Sequence, residues 1–154
     1  MSIEQFRQLI VEFTQGLAGR ALDGELQRWL NREHGPQSAS YRRLRLACVD
    51  GVAAGWMCHR EHAGIRYGRV VKPAEDTARF SVDVVDMDSI AGGHHVHPLG
   101  EIDLVMPLTG DARFDGHGAG WCVYPAGSDH VPTVSGGRAL VMYLLPEGQI
   151  QFTR

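Results

Sequence analysis

The sequence predicts a mainly β protein, an antiparallel β-barrel or jelly roll that carries a helical extension at its N-terminus. In roughly the first fifty residues, apolar side chains recur at three- and four-residue steps, the period of a helix with one buried face. From residue 55 onward short apolar runs are broken by glycine, and most of the 19 glycines and seven prolines lie in this part. The 154 residues suit one core. We therefore expect a single domain over 1–154, helical over 1–50 and a β-barrel over 55–154.

The helical part contains three predicted helices, each with its own start or stop signal. Ser2 and Gln5 have the spacing of a capping box before the first helix. Short helices bury little surface alone, so their apolar stripes should pack against the β part or a second subunit. The expected helices run from Ser2 to Leu17, from Asp23 to the Gly35-Pro36 pair, and from Ser40 to Val49, where Asp50-Gly51 ends the third.

The remainder predicts many short strands separated by glycine-rich turns, a pattern typical of an antiparallel barrel or jelly roll. One such turn is Ser135-Gly136-Gly137. The predicted strands are Trp56–His59, Ile65–Lys72, Phe80–Asp86, His94–His97, Glu101–Pro107, Ala112–Phe114, Trp121–Tyr124, His130–Val134 and Ala139–Leu145.

Composition excludes several classes of partner. The net charge is −3 and basic residues form no run, so we expect neither a nucleic acid nor a membrane partner. The polar N-terminus lacks the apolar stretch of a signal peptide. Cys48, Cys58 and Cys122 are odd in number and widely spaced, which indicates a reducing compartment rather than a disulfide framework. The expected location is the cytoplasm.

Two short motifs together predict a metal site. His95 and His97 are two residues apart on a predicted strand, so both side chains project from the same face. Glu101 follows after a Pro-Leu-Gly turn, and His130 follows a second tight turn at Pro125-Ala126-Gly127. Three imidazoles and one carboxylate suit a divalent transition ion such as Fe, Mn, Ni or Zn. Such a ligand set leaves coordination positions open for water or substrate.

These residues resemble the two cupin motifs. His95, His97 and Glu101 match the ligands of the first motif, and His130 matches the histidine of the second. The chain departs from the pattern at two places. Gly110 lies two residues further from Glu101 than the closing glycine usually does, and Val134 replaces the usual asparagine. The resemblance implies a cupin-type barrel, and a homodimer or higher homo-oligomer.

A closer resemblance covers nearly the whole chain and is to a small bacterial cupin-like family that includes 4-hydroxylaminobenzoate lyase. It implies conversion of 4-hydroxylaminobenzoate to 3,4-dihydroxybenzoate with release of ammonia, as part of nitrobenzoate degradation. The runs that carry it are Asp50–Trp56, Gly64–Arg69, Phe80–Met87, Gly100–Leu104 and Val134–Leu140.

That activity would need further residues beside the metal ligands. Glu101 and Asp103 share a strand face, so Asp103 is our candidate general acid or base; the alternative is a buried partner that orients a ligand histidine. An arginine suits the substrate carboxylate. Strand alternation puts Arg66 and Arg69 on opposite faces, and we assign Arg66 to the inside, with Tyr124 as a second substrate-binding candidate.

Two other classes of function remain open at this point. One is a metal-dependent cupin dioxygenase or isomerase that acts on another small aromatic acid. The other is a cupin that binds a small molecule without catalysis. Oxygen consumption would favour a dioxygenase, and ammonia release would favour the lyase.

Overall fold

The computed structural model describes residues 1–153 and begins with three α-helices. The capping box is present, because Gln5 donates its backbone N–H to Ser2 Oγ and Ser2 donates its own to Gln5 Oε1. Asp23 caps the second helix by accepting from the Leu26 N–H. The helices are α1 Ile3–Thr14, α2 Gly24–Glu33 and α3 Ala39–Ala54; short 3-10 turns lie at Gln15–Leu17 and Glu75–Thr77.

In the part of the chain that the structure describes, ten strands form two antiparallel sheets. The large sheet has the order β1-β2-β3-β9-β5-β7, with β6 also paired to β9, and the small sheet has the order β10-β4-β8. The strands are β1 Arg60–His62, β2 Ile65–Val71, β3 Phe80–Ala91, β4 His95–His97, β5 Glu101–Pro107, β6 Arg113–Phe114, β7 Gly120–Tyr124, β8 Ser128–His130, β9 Thr133–Pro146 and β10 Gln151–Phe152.

The middle of the large sheet is buried on both faces, as β5 shows. Ile102 and Leu104 belong to an apolar cluster shared with the helices, which includes Phe6 of α1 and Leu30 of α2. Val105 belongs to a second cluster on the inner face of the barrel. The stripe of α1 therefore packs within this chain, one of the two packing modes that the sequence allows. Within residues 1–153, no helix is both long and apolar enough to cross a bilayer.

Helix α2 covers the edge of the large sheet at β7. Asn31 donates from its amide to Trp121 O and accepts from Trp121 N–H, while Gln27 accepts from Val123 N–H. Gln27 and Asn31 are one helical turn apart and lie on the same helix face. These bonds satisfy strand groups that would otherwise be free to pair with another chain.

Two predicted boundaries near α3 are wrong. The helix continues through Asp50-Gly51 and ends at Gly55, which has φ +87° and donates its N–H to the carbonyls of Gly51 and Val52. Close packing leaves no room for a side chain at Gly51, because a Cβ there would lie 2.9 Å from the Met57 side chain. The predicted strand Trp56–His59 is an irregular segment, and the nearby strand is β1 instead.

Two further predictions fail in the second half of the chain. The predicted strand His130–Val134 is divided between β8 and β9, because Pro132 has no N–H for a ladder bond. The predicted turn Ser135-Gly136-Gly137 lies inside β9. Gly136 and Gly137 have φ +75° and +145°, and the pairing register with β3 shifts at this point, so the glycines form a bulge rather than a chain reversal.

Candidate metal centre and adjoining cavity

Four side chains predicted as metal ligands converge inside the barrel. One nitrogen or oxygen atom from each of His95, His97, Glu101 and His130 lies within 4.8 Å of the other three. The small sheet supplies the histidines, because β4 and β8 pair with His95 opposite His130. Glu101 begins β5 in the large sheet, after a turn at Gly100 with φ +95°.

The hydrogen bonds of the histidines direct one nitrogen of each ring to a common point. Nδ1 of His95 donates to Gly93 O at 3.3 Å, and Nδ1 of His130 donates to Asp115 Oδ2 at 2.6 Å. Nδ1 of His97 donates to Ser128 Oγ at 2.9 Å, because that hydroxyl gives its own proton to Pro125 O. The three Nε2 atoms are therefore left as acceptors. Metal-binding histidines typically show this arrangement, in which the second ring nitrogen donates its N–H to a neighbouring group and so fixes the tautomer.

At this point the lone pairs of ring nitrogens and carboxylate oxygens lie close together. Nε2 of His95 lies 3.0 Å from Nε2 of His130, and Nε2 of His97 lies 3.2 Å from Glu101 Oε2. Within residues 1–153, His97 Nε2 and both Glu101 carboxylate oxygens are buried without a hydrogen-bond partner. Unpartnered buried acceptors are costly. A divalent cation at this point would satisfy all of them, so the residues fit a metal ion.

The two buried carboxyl groups of β5 differ in their electrostatics. Burial disfavours the charged form of Glu101, but the neighbouring side chains of His95, His97 and Asp103 together outweigh burial and lower its pKa. Burial and the negative charge of Glu101 raise the pKa of Asp103 well above its usual value. Glu101 is therefore the anionic member of the pair, and Asp103 is fully buried behind it.

Asp115, which the sequence analysis did not single out, connects three groups around the centre. Its Oδ2 accepts from His130 Nδ1 and from the Tyr124 hydroxyl, both at 2.6 Å, and its Oδ1 accepts from Thr133 N–H at 2.9 Å. Burial raises the pKa of Asp115, but these hydrogen bonds outweigh burial and lower it. No sequence motif marks Asp115, since it follows β6 in the chain and is adjacent to His130 only in the fold.

A cavity of about 660 Å³ adjoins the centre at His95, a size typical of small-molecule sites. It lies between the large sheet and the C-terminal segment. Tyr143 lines it, and burial raises the pKa of this phenol well above its usual value. Within residues 1–153 the Tyr143 hydroxyl has no hydrogen bond to another side chain or to the backbone. The other lining residues used below are Arg60, Tyr67, Arg69, Asp83, Val85, Met87 and Phe152.

Three predicted residues do not line this cavity. Arg66 lies on the opposite face of β2, where its guanidinium is 3.8 Å from Asp86, so the assignment of Arg66 to the inside is wrong and Arg69 lies inside. The hydroxyl of Tyr124 donates a hydrogen bond to Asp115, and its ring lies tilted against the His130 ring at 4.6 Å between centroids. Asp103 is fully buried, and within residues 1–153 neither of its carboxylate oxygens has a hydrogen-bond partner. It therefore does not orient a ligand histidine, which was the alternative role considered for it.

His94 points away from the centre, as strand alternation predicts. Its ring bonds to Asp129 and Thr153 on the outer face of the small sheet. Val134, which replaces the usual asparagine of the second cupin motif, is 1% exposed and belongs to the inner apolar cluster. The departure from the motif therefore falls in the core.

One solved structure supports the fold, and a second matches part of the chain. A chain from the crystal structures of the DMSP lyases RdDddP and RnDddQII superposes over 99% of this chain and 96% of its own length, with a TM-score of 0.56 and 17% identity. An RmlC-like cupin protein from Ralstonia eutropha JMP134 matches 64% of this chain and 66% of its own, with a TM-score of 0.46 and 13% identity. The predicted fold class, a mainly β cupin-type barrel with helices at the N-terminus, is confirmed.

Sequence comparisons show the family. The model of the 4-hydroxylaminobenzoate lyase family matches residues 8–152. A 4-hydroxylaminobenzoate lyase of Pseudomonas putida is 33% identical over 94% of this chain and 92% of its own length. Its counterpart in Nocardioides sp. (strain LMS-CY) is 36% identical over 92% of this chain and 89% of its own. The chain therefore belongs to the 4-hydroxylaminobenzoate lyase family of enzymes, as its resemblance to that family implied.

Proposed function

We propose that this enzyme converts 4-hydroxylaminobenzoate and one water molecule to 3,4-dihydroxybenzoate and ammonia, a step of nitrobenzoate degradation. The N–O bond breaks, oxygen is placed on the neighbouring ring carbon, and water oxygen replaces nitrogen on the ring. Nitrogen is reduced while the ring is oxidised, so the balance needs no external oxidant. The names of the two relatives support this substrate class.

The observation that carries the proposal is the convergence of acceptor atoms at one point in the barrel. In the proposal, His95, His97, Glu101 and His130 hold a divalent transition metal, whose identity among Fe, Mn, Ni and Zn is left to measurement. When bound, such an ion supplies Lewis-acid polarisation of the hydroxylamino oxygen and acidifies water.

The protein side chains would bind and orient the substrate beside that centre. The apolar side chains of Val85, Met87 and Phe152 line the cavity and exclude water from the ring faces. Tyr143 is the candidate proton donor, because this residue lines the cavity and its hydroxyl forms no hydrogen bond within residues 1–153. It would hold its proton at Oη for the departing oxygen or nitrogen.

The proposal leaves Asp103 and Tyr124 as positioning residues. Asp103 supports Glu101 from the interior, and Tyr124 supports His130 through Asp115. Neither residue lines the cavity. We therefore assign proton transfer to Tyr143 instead of Asp103, and substrate binding to the arginines of the cavity instead of Tyr124.

Product analysis tests the proposed reaction. Purified enzyme should release ammonia and 3,4-dihydroxybenzoate from 4-hydroxylaminobenzoate in equal amounts, with no oxygen uptake at an electrode. A chelator should abolish turnover, and one of the four candidate metals should restore it. His97→Ala should lose both the metal and turnover, whereas His117→Ala, which changes a histidine outside the cluster, should retain both. Oxygen uptake coupled to product would refute the lyase reaction, and full turnover of metal-free protein would refute the metal.

Oligomeric state, location and domain organisation stay predictions. A homodimer or higher homo-oligomer is testable by light scattering of the purified protein. The cytoplasmic assignment is supported by three free cysteines, all buried, which are typical of reducing compartments. The single domain over 1–154 is supported by the apolar cluster that joins the helices to the large sheet. One cooperative unfolding transition would support it further.

A further inference from the structure

The charged groups of the cavity do not all have partners. Arg69 donates from Nε to Asp83 Oδ1 at 2.7 Å, and from Nη2 to Asp83 Oδ2 at 3.3 Å and Gly148 O at 3.1 Å. These bonds compensate its charge and occupy much of its donor capacity. Arg60 also lines the cavity, and within residues 1–153 it forms no ion pair and no side-chain hydrogen bond. It is the arginine of the cavity that is free to receive an anion.

The β1–β2 hairpin fixes the side of the sheet on which Arg60 lies. Arg60 pairs directly with Tyr67, and Glu61 pairs with Arg66. Directly opposed residues of an antiparallel pair share a face, so Arg60 and Tyr67 face the cavity while Glu61 and Arg66 face away from it. The neighbouring acid Glu61 is therefore directed away from Arg60. Both Arg60 and Tyr67 are at the exposed rim of the cavity.

The cavity thus combines three features that suit an aromatic carboxylate. His95 of the metal centre borders it, and apolar side chains form much of its wall. Arg60 at the rim is, among residues 1–153, the one arginine of the cavity without a compensating partner. A ring between them would place a carboxylate and a reactive substituent at opposite ends. Guanidinium binds carboxylate with two parallel hydrogen bonds, which adds orientation to attraction.

We infer that Arg60 binds the substrate carboxylate and sets the specificity of the enzyme for aromatic acids. The inference rests on the proposed function for the identity of the ring substituent, but the carboxylate site itself needs only an aromatic acid. Arg69, held by Asp83, shapes the wall and does not serve as the anion site.

The test measures binding of 4-aminobenzoate, an unreactive aromatic acid, together with turnover of 4-hydroxylaminobenzoate. Arg60→Gln should weaken 4-aminobenzoate binding and raise KM by about tenfold or more, since hydrogen bonds to charged groups are the stronger class. The affinity of Arg60→Lys should lie between those of wild type and Arg60→Gln, because lysine keeps the positive charge but cannot form the two parallel hydrogen bonds of a guanidinium. Arg43→Gln is the matched control, an exposed arginine on α3, and should behave as wild type. Thermal unfolding and metal content of each variant verify the fold.

The outcomes distinguish failure of the carboxylate site at Arg60 from failure of the proposed lyase reaction. If wild-type enzyme does not bind 4-aminobenzoate, or if folded Arg60→Gln binds it as tightly as wild type does, the assignment of Arg60 is refuted even where turnover proceeds. If binding depends on Arg60 but wild type does not turn over 4-hydroxylaminobenzoate, the carboxylate site stands and the proposed function fails.

Discussion

Replacing Asp115 by asparagine should weaken the metal centre without touching any of its four candidate ligands. The carboxylate accepts from three donors: His130 Nδ1, the Tyr124 hydroxyl and Thr133 N–H. An amide has one oxygen, and the least costly orientation keeps that oxygen toward His130 and Tyr124. Its NH2 group then opposes Thr133 N–H, and the bond to His130 loses the assistance of a full negative charge.

The magnitude follows from these two losses. A part-buried N–H left without its acceptor costs about 1–3 kcal/mol, so the free energy of unfolding should fall by that amount. Loss of a second-layer partner lowers metal affinity by about 10- to 100-fold, or about 1.4–2.7 kcal/mol. His130 would still be present, so the defect should appear as weaker binding rather than as loss of the site.

Competitive titration with a chromogenic chelator, using Zn²⁺ as probe, measures the affinity directly. Asp111→Asn removes the same charge from an exposed position in the preceding turn and serves as the control. We expect Asp111→Asn to match wild type and Asp115→Asn to fall below it by the stated factor. Equal Zn²⁺ affinity in all three proteins would refute the idea that Asp115 orients His130 for a metal.

Three further predictions concern the cavity, the thiols and the β9 bulge. Tyr143→Phe should lower kcat by about 100-fold or more with metal content unchanged, and Tyr67→Phe should not; equal kcat values would exclude Tyr143 as proton donor. Burial raises the pKa of Cys58 and of Cys122 to about 12 and raises that of Cys48 further, so native protein at pH 8 holds protonated thiols. A disulfide reagent should then label none of the three before unfolding and all three in denaturant. Gly137→Ala places a Cβ 2.5 Å from Thr109 O at φ +145° and should lower unfolding free energy by about 3 kcal/mol, against under 0.5 kcal/mol for Gly118→Ala; equal urea midpoints would contradict this.

Much of the centre was predictable because its spacing is a local property of strands. The two-residue step from His95 to His97 sets a shared face whatever the rest of the fold. The turns before Glu101 and His130 are marked by glycine and proline, so the chain reversals that bring these residues back are also visible. The outward position of His94 follows from the same alternation.

The wall of the cavity was harder to predict because it depends on which strand face is inward. Alternation correctly separates Arg66 from Arg69, but only the fold shows that Ile65, Tyr67 and Arg69 face the cavity. The sequence did hold evidence for the inward face, because Ile65 and Tyr67 alternate in step with Arg69 along the strand and apolar residues tend to face inward. For Arg60 the sequence held no such evidence, because the predicted strand Trp56–His59 ends before this residue and the observed strand β1 begins at it.

Asp115 and Tyr143 illustrate a second limit. Asp115 reaches His130 across fifteen residues of chain, and Tyr143 comes near His95 from the opposite sheet at 6.4 Å between ring centroids. Contacts between distant segments follow from sheet pairing, which periodicity does not specify. The glycines of β9 show the same limit in the backbone, since a bulge and a turn have similar composition.

Anomalous diffraction from a crystal of active, metal-loaded enzyme tests the central claim most directly. A single peak at the absorption edge of the bound metal should lie about 2.0–2.3 Å from Nε2 of His95, His97 and His130 and from a carboxylate oxygen of Glu101. A peak elsewhere in the molecule, or no peak in crystals whose dissolved protein turns over 4-hydroxylaminobenzoate, would contradict it.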